Sequence, residues 1–95
     1  MTKSAADRGA ALVTGGGKRI GKAICLELAR AGFDIVIHYR GSKEAEEAVA
    51  EEVRALGRRA AVVRGDLSVE AEVRGIVPAA AEAIGPLAVL VNNAS

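Results

Sequence analysis

Four short stretches of the sequence carry residue types that could do chemistry. TGGGKRIG, residues 14–21, is glycine-rich and contains two cations, Lys18 and Arg19. Glycines let a backbone approach a charged group closely, and N–H groups at the start of a helix can receive a phosphate. HYRGSK, residues 38–43, has no carboxylate; Arg40 can fork onto a phosphate, and Ser42 with the helix start behind it can donate further hydrogen bonds. Gly65-Asp66-Leu67 reads as a turn, and Asn92-Asn93 places two side-chain amides in succession.

These stretches need elements to hold them. AALVT, residues 10–14, is a short apolar run stopped by glycines and suits a buried strand. From Ile20 the apolar residues Ile20, Ile24, Leu28 and Ala31 recur at helical steps, which predicts an amphipathic helix buried on that side and ended by Gly32. DIVIH, residues 34–38, is the second strand. Ser42 is placed to cap a second helix, with Ala45, Val49, Val53 and Leu56 inside, and Glu44, Glu46, Glu47 and Glu51 in water. AAVVR, residues 60–64, is the third strand. Ser68 is then placed to cap a third helix with Val69, Val73, Ile76 or Val77, Ala80 and Ile84 inside. Pro78 lies well within that helix and predicts a bend or break, because it lacks an N–H for the carbonyl of Arg74. LAVLV, residues 87–91, is the fourth strand.

Strands alternating with helices, the strands near-continuously apolar, define an α/β fold with a parallel sheet covered on both faces. Right-handed crossovers put the first two helices on one face and the third on the other, giving strand order 3-2-1-4. The expected architecture is a Rossmann-like, doubly wound parallel sheet, incomplete, with four strands and three helices. Order 3-2-1-4 has a topological switch between the first and fourth strands, and the glycine loop and the Asn92-Asn93 end both open into the crevice there. Residues 1–8 are expected to be a flexible tail and residues 9–95 the folded half-domain.

Composition removes several functions. The 95 residues are 51% hydrophobic and 26% charged, which suits one small domain. Thirteen Lys+Arg against twelve Asp+Glu leave a formal net charge of +1, so no nucleic-acid footprint shows. Phe33 and Tyr39 are the only aromatic residues, too few for a base-stacking platform. The N-terminus carries Lys3, Asp7 and Arg8 and does not read as a signal peptide, and no run approaches the roughly 18 apolar residues of a membrane helix. Cys25 is the single cysteine, so an intrachain disulfide is impossible. A cytoplasmic protein without nucleic-acid or membrane partners is expected.

The loop after the first strand is in the context that receives a pyrophosphate, so a dinucleotide is the expected ligand. After the second strand, where NAD sites place an acid for the ribose hydroxyls, Arg40 stands instead, with Arg19 nearby in the loop, which points to NADP (NADPH). A rival reading takes Gly16, Gly21 and Lys22 as part of a nucleoside-triphosphate loop, but Ala23 stands where a hydroxyl must hold Mg²⁺.

In these motifs the sequence resembles the short-chain dehydrogenases/reductases, over residues 9–95. Thr14-Gly15 with Gly21 resembles that family's T-G-x-x-x-G-x-G loop, Asp66-Leu67 its adenine-contacting turn, and Asn92-Asn93-Ala94 its N-N-A-G motif. Arg19 and Ser95 depart from the common pattern. With Lys18 and His38-Tyr39 they resemble the pteridine-reductase and dihydromonapterin-reductase branch, with 3-oxoacyl-carrier-protein reductases as neighbours. The resemblance implies an NADPH-dependent reductase of a carbonyl or pterin C=N substrate, with homo-oligomers formed through later helices. It further implies that Arg19 helps hold the cofactor phosphates, Asp66 bonds the adenine amino group and Leu67 packs on the ring. Asn92, Ala94 and Ser95 are expected to line the nicotinamide-ribose path. The full set expected at the cofactor is Gly15, Lys18, Arg19, Ile20, Gly21, His38, Tyr39, Arg40, Ser42, Asp66, Leu67, Asn92, Ala94 and Ser95.

The family's catalytic tyrosine and lysine have no counterpart in this stretch. Tyr39 is the single tyrosine, and Tyr39-x-x-x-Lys43 copies the string at the wrong end of the expected site. No catalytic residue is therefore assigned, and this stretch by itself is expected to be inactive; a non-catalytic dinucleotide-binding module is the alternative. Cys25 reads as an inert core thiol, and His38, without other ligands nearby in the chain, shapes the cofactor edge rather than binding metal.

Overall fold

The computed structural model describes residues 8–15, 19–41, 43–65 and 70–93, with side chains from residue 74 onward in the last segment. The elements run β1 (Ala10–Thr14), α1 (Arg19–Arg30), β2 (Asp34–Tyr39), α2 (Glu44–Ala55), β3 (Ala60–Arg64), α3 (Glu70–Ile84) and β4 (Leu87–Asn92). All pairings are parallel and the order is β3-β2-β1-β4, as the alternating pattern implies. β1 and β3 match the apolar runs residue for residue, and β2 and β4 each extend one residue further.

The two faces of the sheet hold separate cores. Ala11, Val13, Ile35 and Ile37 face α1 and α2, where they meet Cys25, Ala29, Val49, Ala50 and Val53. Leu12 and Val36 point the other way and meet Ile76 and Ala80 of α3. This alternation follows from the two-residue period of a strand. Of the two candidates in α3, Ile76 is buried and Val77 is 46% exposed.

The helices sit in rotations that differ from the expected ones. In α1 the buried residues are Gly21, Cys25 and Ala29, whereas Ile20 is 70% exposed and Ala31 is exposed. Small side chains let the helix approach the sheet closely, so the Gly-Cys-Ala stripe wins over the bulkier Ile20-Ile24-Leu28 stripe, which is left at the margin and outside. In α2 the buried set is Glu46, Val49, Ala50 and Val53, with Ala45 and Leu56 exposed. Glu46, expected in water, is thus turned inward. The N-cap of α2 is Lys43, which makes no side-chain cap bond; Ser42 and Ser68, the residues expected to cap, lie outside the described residues.

Pro78 does not break α3, which runs unbroken from Glu70 to Ile84. Both Arg74 and Pro78 are exposed, so water can reach the carbonyl that the proline ring cannot serve. Arg8, placed in the expected tail, already donates its amide to the Gly32 carbonyl at 2.9 Å.

The amino edge of the sheet is closed by one buried carboxylate. Asp34 accepts the Arg59 amide at 3.0 Å and Arg59 Nε at 3.1 Å, and pairs with Arg58 at 3.0 Å. Arg59 also reaches the Ile84 carbonyl at 2.9 Å, so β2, the loop before β3 and the end of α3 are tied together. Burial opposes the charge on Asp34, but the Arg59 amide and side chain and the Arg58 guanidinium outweigh it and hold the carboxyl below its usual value.

A carboxyl lowered on folding stabilises the fold fully above its unfolded value, near 3.9, and loses that contribution as pH falls through the lower folded value. Denaturant midpoints measured from pH 6 downward should therefore drop below about pH 4, and Asp34→Asn should remove part of that slope. At neutral pH this variant should cost about 1 to 3 kcal/mol. A second expectation concerns the edge at β4, where Leu90 is 58% exposed and the strand pairs, among the described residues, with β1 alone. Open apolar edges recruit other strands, so the 95-residue polypeptide prepared by itself should associate. A monomeric mass by light scattering at micromolar concentration, with one sharp thermal transition, would contradict this.

Candidate functional site

Of the described residues, Gly15, His38, Tyr39, Arg40 and Asn92 stand at the carboxyl ends of β1, β2 and β4. Parallel register sets Val63, His38, Thr14 and Asn92 side by side across all four strands. One step further on, Gly15 leaves β1 with φ +65, a left-handed conformation open to glycine, so the chain can turn sharply out of the sheet and into the loop before α1.

Thr14 joins the two sides of the crevice. Its hydroxyl accepts the Asn93 amide at 2.9 Å, and its proton lies between the Val91 carbonyl at 3.3 Å and Asn92 Oδ1 at 3.2 Å. Asn93 Nδ2 donates to the Gly15 carbonyl at 3.3 Å. The exits of β1 and β4 are thereby fixed together. Thr14 and Asn93 stand outside the expected set of site residues. Their sequence signals were a polar residue ending the first apolar run and a doubled asparagine ending the last.

The helix N-termini at this edge differ in charge. α1 has no acid in its first turn and begins with exposed Arg19, so no carboxylate of that turn answers the partial positive charge of its N-terminus. Gly21 is buried in that turn, and Ile20 beside it is exposed. α2 carries Glu44, Glu46 and Glu47 in its first turn, which already answer its dipole, and Glu46 Oε1 is buried without a partner among the described residues. The start of α2 is therefore a poor anion receiver, and Arg40, exposed just after β2, is the favourable charge at that end.

His38 is only 2% exposed, and its Nε2 faces the Gly65 carbonyl at 2.5 Å, so its side chain is engaged inside the fold rather than presented outward. Tyr39 is half-buried, and its carbonyl accepts the Gly65 amide at 3.0 Å. Asn92 is exposed at the end of β4. Lys18, Ser42, Asp66, Leu67, Ala94 and Ser95 lie outside the described residues. Cys25 is fully buried, and burial pushes its thiol up to about 12, which leaves no thiolate for nucleophilic work. Among the described residues there is no His, Cys, Asp and Glu cluster fit for a metal, and no helix long and apolar enough to cross a membrane.

A doubly wound α/β sheet with a glycine exit from its first strand is a broad class. The family model for short chain dehydrogenases matches residues 9–95, and the chain belongs to that family. It is 40% identical over 94 residues to 3-oxoacyl-[acyl-carrier-protein] reductase FabG of Staphylococcus aureus, covering 99% of this chain and 36% of that protein. FabG of Aggregatibacter actinomycetemcomitans is 48% identical over 83 residues, covering 87% and 34% respectively. Among solved structures, FolM alternative dihydrofolate reductase 1 from Brucella canis, complexed with NADP, superposes with TM-score 0.86 and 46% identity. That match covers 95% of this chain and 36% of the other. A short chain dehydrogenase from Burkholderia cenocepacia, in complex with NADP, also gives TM-score 0.86 at 46% identity, covering 92% and 36%. The chain thus spans roughly a third of the length of the proteins it matches.

The Thr14 crosslink can be tested directly. Thr14→Val keeps the shape but strands the Asn93 amide, and should cost about 1 to 3 kcal/mol in denaturant unfolding. Thr14→Ser should retain most of the stability. Amide exchange at Asn93 should quicken in the valine variant alone.

Proposed function

We propose that this chain is the NADP(H)-binding part of an oxidoreductase that moves a hydride between NADPH and a carbonyl or pterin C=N carbon. The observation that carries this reading is the combination at the β1 exit: a left-handed Gly15, a carbonyl pinned by Asn93, and an acid-free α1 start bearing Arg19. These features fit a pyrophosphate, which needs close backbone approach and uncompensated N–H groups. NADP in the Brucella FolM and Burkholderia dehydrogenase structures supports the same assignment.

In this reading Gly15, Lys18, Arg19, Ile20 and Gly21 receive the pyrophosphate. Arg40 and Ser42, with His38 and Tyr39 behind them, form the 2′-phosphate end. Asp66 and Leu67 meet the adenine, and Asn92, Ala94 and Ser95 border the nicotinamide ribose. The bound cofactor supplies the hydride; the residues of this chain bind and orient it. Substrate of either type is reduced by the same hydride chemistry, and both are represented in the names of the FolM and FabG proteins that this chain resembles.

The preference for the phosphorylated cofactor rests on cation without carboxylate after β2. In the full product of the gene, calorimetry should show NADPH bound more tightly than NADH. Arg40→Asp should weaken NADPH by about tenfold or more, the weight of a charge-assisted bond, while leaving NADH little changed. Equal affinity of the unaltered protein for both cofactors would overturn the preference.

A further inference from the structure

His38 occupies a position where the strand pattern calls for an apolar residue. It follows Val36 on the face that meets α3, and its neighbours across the sheet are Val63 and Thr14. At 2% exposure, a polar ring there loses its hydration and must recover it by hydrogen bonding. It does so at one atom. Nε2 faces the Gly65 carbonyl at 2.5 Å, and Nδ1 has no partner among the described residues. A carbonyl oxygen can only accept, so Nε2 carries the proton of this bond.

The partner matters as much as the ring. Gly65 is itself buried, and among the described residues His38 is the side chain that meets its carbonyl. Its amide is already taken by the Tyr39 carbonyl at 3.0 Å. Gly65 is therefore gripped by both of its polar backbone groups, each time from the last residues of β2. It is also the last residue before Asp66 and Leu67, the pair expected to meet the adenine.

We propose that His38 is the positioning residue for the adenosine end of the site: by donating Nε2–H to the Gly65 carbonyl it locks the exit of β3 to the exit of β2. The proposal rests on the nucleotide reading above but assigns His38 a role distinct from contact with the cofactor. The lock acts through the backbone of Gly65 at the exit of β3, so loosening it weakens adenine nucleotides alike and leaves discrimination between NADP and NAD as it was.

The test uses the full product of the gene with His38→Leu, which removes the donor, and His38→Gln, whose Nε2–H reaches about as far as that of histidine. Calorimetry with NADP, NAD and ADP should show about tenfold weaker binding of all three to the leucine variant, an unchanged ratio of NADP to NAD, and recovery in the glutamine variant. Amide exchange at Gly65 should quicken in the leucine variant and recover likewise. Unchanged binding, or a changed ratio of NADP to NAD, would overturn the proposal. Should the unaltered protein bind no dinucleotide, the nucleotide reading fails; unchanged exchange at Gly65 would then overturn the lock as well. If His38→Leu does not fold, NMR of ¹⁵N-histidine in the unaltered protein decides. A slowly exchanging Nε2–H supports the lock, and a proton on Nδ1 instead overturns it.

Discussion

The structure depends on the burial of β1 from every direction. Ala11, Leu12 and Val13 are fully buried, and the strand pairs with β2 on one edge and β4 on the other. A parallel strand so enclosed must be apolar through its length, because any polar side chain within it would lose water without gaining a partner. Polar function is therefore pushed to the point where the strand ends. Thr14 is the first residue that can turn outward in its bonding, and Gly15 the first that can turn the backbone. The register of β1 with its neighbours then decides which residues of β2 and β4 share that rim.

The two rims of the sheet are electrostatically different. At the amino rim the charge is closed on itself: Asp34 is answered by Arg58 and Arg59, and the arrangement serves to join β2 to the loop before β3. At the carboxyl rim α1 begins with Arg19 and no acid, whereas α2 begins with three glutamates. One helix dipole is thus unanswered by acids of its own first turn and the other is answered by them. On the proposed reading, this division gives the glycine loop the larger part in holding a phosphate and leaves the second site, after β2, to Arg40 and its neighbours rather than to a helix dipole.

Much of this was legible in the residues themselves. Apolar runs of five or six residues stopped by Gly, Asp or Asn are strands irrespective of partners, and their alternation with helical repeats leaves few topologies once crossovers are right-handed. The sequence by itself therefore determined the elements, the strand order β3-β2-β1-β4 and the place of the glycine loop. Helix rotation was another matter. In α1 two adjacent stripes, Ile20-Ile24-Leu28 and Gly21-Cys25-Ala29, both have helical spacing, and hydrophobicity favours the first. The tertiary structure chose the second, because the distance between helix and sheet is set by the smallest residues that can face it. The pairing of Thr14 with Asn92 and Asn93, residues 78 and 79 positions away, and of His38 with Gly65 were likewise decided only on folding. Hydrogen-bond partners depend on strand register in three dimensions, and periodicity along one chain carries no information about which polar atom a neighbouring strand will bring within reach.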